Sequence, residues 1–120
     1  MGILFEELAK RDCPVEEIRE RFLGDEGFYH SCLKKMVTDE NFGKLGNALR
    51  EPNAVDAFIY AHALKGLIAN MGLQRMYGTI CKLVEPLRGG ETEGLYPLYE
   101  ELLSELKEIK LLCIAADSHD

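Results

Sequence analysis

One short stretch of the chain carries residues suited to chemistry: Ala61-His62-Ala63-Leu64-Lys65-Gly66. An ordinary exposed imidazole is mostly neutral at pH 7, so one ring nitrogen keeps a free lone pair. That nitrogen is a nucleophile without further activation and can accept a phosphoryl group. On a helix Lys65 stands at i+3 from His62, close enough to offset added negative charge as a mobile point charge. The segment offers no second histidine, and its one carboxylate, Asp56, lies more than a turn away. Such a histidine can carry a group, but its partner must supply the metal ion and the leaving-group chemistry.

The spacing predicts a helix over about 54–71 to hold these residues. Asn53 is placed to cap it, and Asp56 sits in the first turn, where an anion suits the helix dipole. On a helical wheel Ala57, Ala61, Leu64, Ile68 and Met71 form a core stripe flanked by Tyr60 and Leu67. His62 falls roughly opposite. Val55, Phe58, Ile59 and Ala69 share its side, where a solvated face would carry charged residues. An apolar patch with one polar centre fits a docking surface for another protein. A helix buried all round fits the same periodicity. Gly66 is costly inside a helix, by roughly 1 kcal/mol relative to Ala. Steric access to the imidazole is the natural explanation, and close packing against another helix is the alternative.

The rest of the chain must position this helix, and its periodicity is helical nearly throughout. A short helix is expected over about 3–10. Pro14 opens a second, with Ile18 and Phe22 as an apolar pair and Gly24 as its end. A third runs over about 26–37, with Phe28, Leu33, Met36 and Val37 buried. Thr38 is placed to cap a fourth over about 39–50, carrying Phe42, Leu45 and Leu49. Gly72 interrupts the histidine-bearing helix. Another follows over about 73–88 with Met76, Ile80, Leu83 and Leu87 on one stripe, closed by Arg88-Gly89-Gly90. The last covers about 94–113, with Leu95, Leu98, Leu102, Leu106 and Ile109 in register. The tail from Ala115 is expected to fray. Short connections favour antiparallel neighbours. The expected fold is therefore all-α: an up-and-down antiparallel four-helix bundle with one or two short extra N-terminal helices. Its bundle segments are about 26–37, 39–50, 54–71 plus 73–88, and 94–113, all in one domain spanning 1–120.

Composition narrows the function classes. The 120 residues are one domain's worth, and 47% hydrophobic residues suit a globular chain. The formal net charge of −7 argues against a nucleic-acid binder. No apolar stretch is long enough to span a membrane, and the first residues lack a basic n-region and carry acids where a signal's apolar core would sit. Met1 suggests a natural start. The four cysteines, Cys13, Cys32, Cys81 and Cys113, are far apart and read as reduced, mostly buried thiols of a cytoplasmic protein. Only His30, His62 and His119 are available as histidine ligands, and none completes a Glu-x-x-His pair of a metal-binding bundle. No nucleotide-binding glycine loop is present.

The stretch 61–66, followed by Asn70-Met71-Gly72-Leu73, resembles the A-H-x-L-K-G signature of histidine-containing phosphotransfer (HPt) domains. Phe22-Leu23-Gly24-Asp25-Glu26 is similar to the loop before the family's first bundle helix. Asn41-Phe42 to Ala48-Leu49 and Cys81-Lys82-Leu83-Val84-Glu85 are similar to its flanking helices. The resemblance spans roughly 15–110. It implies a phosphoryl carrier in a two-component phosphorelay, not an enzyme, with no cofactor and no ATP site. His62 would be the phosphoacceptor, Lys65 the charge partner and Gly66 the gap admitting the partner. That partner would be a response-regulator receiver domain, with a hybrid sensor kinase as the other candidate. The receiver's aspartate and Mg²⁺ would perform the transfer. Independently of the resemblance, the single modest apolar patch on the wheel makes a monomer the default expectation. Leu67 and Ile68 stand where many members have small polar residues, which leaves a neutral hydrogen-bond donor unassigned. Lys82 and Arg88 are candidates to reach the site. The phosphoacceptor domain of a chemotaxis-type kinase and a non-catalytic helical adaptor are the alternative readings. A sensor-kinase dimerisation domain fits less well, because Ala63 follows the histidine where an acid is usual.

Overall fold

The computed structural model describes residues 3–119, with the side chains of residues 3–118. Seven helices follow one another: α1 (Ile3–Ala9), α2 (Val15–Arg21), α3 (Glu26–Met36), α4 (Asn41–Arg50), α5 (Ala54–Met71), α6 (Gln74–Arg88) and α7 (Tyr96–His119). The described residues contain no strand. The all-helical expectation therefore holds, with boundaries within a few residues of those read from periodicity for α1 to α6.

Helix α5 packs on α4 and on α6, α6 packs on α7, and α7 packs back on α4, so these four helices close a ring of contacts. Helix α3 lies against α5 and α7, and α1 lies against α2, α3 and α7. The expected stripes supply the interior. Phe42 and Leu45 of α4, Ala57, Ala61, Leu64 and Ile68 of α5, Met76, Ile80, Leu83 and Leu87 of α6, and Leu102, Leu106 and Ile109 of α7 are all buried. Burying each large aliphatic side chain contributes roughly 1.5–3 kcal/mol, so these stripes dominate the stability of the arrangement.

Small polar devices set the ends of α5. Asn53 accepts the Asp56 N–H at 3.1 Å and caps the start as expected. Gly72 adopts φ +72°, a left-handed conformation that stops the helix. A Cβ there would also run into Ile18 of α2. Arg21 donates to the Asn70 carbonyl at 2.7 Å and to the Ala69 carbonyl at 3.3 Å. The buried Tyr29 hydroxyl donates to the Met71 carbonyl at 2.7 Å. The orphan carbonyls of α5 are thus met by α2 and α3.

Four local expectations are corrected. Phe28 is 55% exposed, and its neighbour Tyr29 turns inward instead. The Tyr29 ring packs edge-on against Phe22 and its hydroxyl finds a partner, which lets the more polar aromatic take the buried position. Thr38 does not cap α4. Its hydroxyl closes α3 by donating to the Lys34 and Lys35 carbonyls, and Asp39 accepts the Asn41 N–H at 2.8 Å. The tail does not fray at Ala115. Helix α7 continues through it because Ala116 is buried and Asp117 pairs with Lys34 of α3 at 3.1 Å. Of the four thiols, all free, only Cys113 is fully buried, and Cys13, Cys32 and Cys81 are half-buried. Burial pushes the Cys113 thiol up to about 11.

Candidate functional site

Helix α5 presents two unlike faces. Its core stripe is sealed, whereas His62 stands exposed on the other side with Ala63, Gly66 and Ala69. The reading of α5 as buried all round is overturned. Val55 is 72% and Ile59 55% exposed, Phe58 is half-buried, and Ala69 is exposed. The apolar patch expected around the histidine is therefore an open surface. Phe58 alone of these side chains packs against the core, while Val55 and Ile59 stay open to solvent.

The imidazole makes no hydrogen bond among the described residues. Its only ring contact among the described residues is with Phe58, one turn earlier, at 5.5 Å between centroids and 33° between planes. Both ring nitrogens are thus unencumbered by protein partners. Lys65 is half-buried on the same helix and forms no ion pair among the described residues. Its ammonium is free to swing towards an added anion.

A Cβ built on Gly66 meets nothing within 4 Å. The close-packing explanation of this glycine is thereby removed. No helix approaches it, so the bare backbone is an opening beside the imidazole. Gly78 of α6 is open in the same sense. The two positions lie equally far on either side of Gly72, so the α5–α6 pair carries two uncovered turns at one level.

The second basic group comes from α6. Arg88 places its guanidinium carbon 5.2 Å from the centre of the Phe58 ring. Arg88 ends α6 while Phe58 is near the start of α5, so the two helices run in opposite directions. Arg88 also pairs with Glu85 at 3.5 Å, both side chains largely solvated. Lys82 is exposed at the level of His62 along this pair, without an ion-pair partner among the described residues. The row Arg88, Phe58, His62 joins three sequence candidates through contacts that spacing along one helix could only half supply. The i,i+4 relation of Phe58 to His62 was the available signal, whereas the reach of Arg88 needed the fold.

The other histidines lie apart. His30 Nε2 is 3.3 Å from the Cys113 carbonyl and 3.4 Å from Asp117, a satisfied position between α3 and α7. His119 lies at the end of α7, and its side chain lies outside the described residues. Among the described residues, no group of three or more His, Cys, Asp or Glu side chains is placed to hold a metal ion. No described helix is long and apolar enough to cross a membrane. Comparison with family models, with curated proteins and with solved structures gives no match.

Proposed function

We propose that this chain is a phosphoryl carrier of the HPt kind, taking up and releasing a phosphoryl group on His62. The observation that carries the reading is the exposed, hydrogen-bond-free imidazole beside an open glycine and an unpaired lysine on one helix face. The ring of α4 to α7 would be an antiparallel four-helix bundle, in which α6 takes the place expected for segment 26–37, while α3 lies outside it against α5 and α7 with α1 and α2 beyond.

In the proposed step a partner's aspartyl phosphate lies in line with one ring nitrogen. The N–P bond forms at the imidazole as the acyl P–O bond breaks, and the aspartate leaves as carboxylate. The imidazole keeps its one proton on the other nitrogen. Lys65 and Arg88 offset the dianion from two sides. The partner is a receiver domain, which brings its own Mg²⁺, and its helices lie over Val55, Phe58, Ile59 and Ala69. Gly66 leaves room for that approach. The contact is small and transient, the carrier is a monomer, and the setting is cytoplasmic.

The test is transfer of radiolabel from phosphorylated receiver domains. Label is expected on wild type, lost in acid as an N–P bond requires. His62→Gln should take up none while keeping the wild-type circular dichroism and melting temperature. Equal labelling of wild type and His62→Gln overturns the proposal and leaves a helical adaptor.

A further inference from the structure

We infer that Phe58 is a positioning residue for His62, holding the imidazole in one orientation and bringing the Arg88 guanidinium to the same ring. This inference rests on the carrier reading for its consequence and on geometry for its substance.

An exposed histidine on a helix ordinarily samples several rotamers within nanoseconds. Here one side of the imidazole is taken by an aromatic ring at 5.5 Å, tilted by 33°. Such pairs are favourable beyond their buried area, enough to favour one rotamer several-fold. Phe58 is itself fixed. It is half-buried, packs against the core, and carries Arg88 at cation–π distance. No hydrogen bond competes for the imidazole among the described residues, so the ring contact is what can set its direction.

The consequence is an arrangement prepared before a partner arrives. A nucleophile held near its attack geometry avoids an ordering cost at the moment of transfer. Arg88 is carried on the same Phe58 ring that meets the imidazole, so all three groups lie in one row. Its solvated pairing with Glu85 is weak and leaves it free to turn.

The experiment compares wild type with Phe58→Leu, which keeps an apolar side chain, and Phe58→Tyr, which keeps the ring. The His62 ring protons in wild type should show ring-current shifts in NMR spectra. Those shifts should vanish in Phe58→Leu and persist in Phe58→Tyr, with both variants melting cooperatively. Labelling of His62 by phosphoramidate, a donor too small to need docking, should slow by about threefold in Phe58→Leu and recover in Phe58→Tyr. Unshifted ring protons in wild type overturn the inference, as do equal labelling rates in all three proteins. If wild type takes no label from any donor, the carrier reading fails, and the ring-proton shifts alone decide whether Phe58 orients the imidazole.

Discussion

At the scale of single residues, Gly66 would separate stability from the proposed transfer. A glycine inside a helix is less stable than alanine by roughly 0.5–1 kcal/mol, and here a Cβ would meet only open space. Gly66→Ala should therefore stabilise the protein by about that amount in urea unfolding. Gly66→Gln should also fold, and phosphoramidate should label it within about twofold of wild type. Transfer from a receiver domain to Gly66→Gln should fall tenfold or more, because the longer side chain fills the approach. Slow labelling by both donors would instead place the fault in the imidazole's own surroundings.

At the scale of elements, the ring of helices depends on one close crossing. A Cβ on Gly46 of α4 would fall within the Tyr99 side chain of α7. The Tyr99 hydroxyl donates to the Phe42 carbonyl of α4 at 2.7 Å, a buried bond contributing about 1 kcal/mol. Gly46→Ala should destabilise by about 1–3 kcal/mol, offset in part by the better helix propensity of alanine. Urea melts measure it, and a neutral or stabilising result would mean that Tyr99 swings aside freely. This crossing was not legible in the sequence, since nothing local ties Gly46 to Tyr99. The stripes of α4, α5 and α6 were legible, because burial there repeats at helical spacing. The choice between Phe28 and Tyr29 was not, as adjacent aromatics differ only in which finds a partner across the fold. The helical tail was missed for the same reason: its anchor, Lys34, lies on α3 and far away in sequence. At the site, His62, Lys65 and Gly66 were readable from the motif alone. The burial alternatives for α5 and Gly66 needed coordinates.

At the scale of the whole molecule, stability depends on pH through every group whose pKa changes on folding, and Glu105 makes one contribution of definite sign. Glu105 of α7 faces α6, with one carboxylate oxygen 3.0 Å from the Thr79 hydroxyl. Its other oxygen is buried without a partner among the described residues. Burial raises its pKa; the Thr79 hydrogen bond opposes this, while Glu101 and Glu108 add to it. The folded state therefore holds this proton to a higher pH than the unfolded chain. Stability falls as pH rises from the ordinary carboxylate value through the raised one. Glu105→Gln should raise the melting temperature at pH 7 by a few degrees at most, about what a half-solvated group can contribute. The gain should disappear near pH 4, where both states of the wild type are largely protonated at this site. Melts at the two pH values check it, and a gain of equal size at both would show that charge is not the cause.

Helix α5 is tied down at both extremities, by Asn53 at one and by Gly72, Arg21 and Tyr29 at the other. Its middle amides should be among the slowest to exchange with deuterium in this protein. A phosphoryl group added to so stiff a rod has little means of bending it. On the proposed carrier reading, whatever distinguishes the loaded from the unloaded protein would then be read from the surface, as two extra negative charges and a bulkier side chain, rather than from an altered backbone.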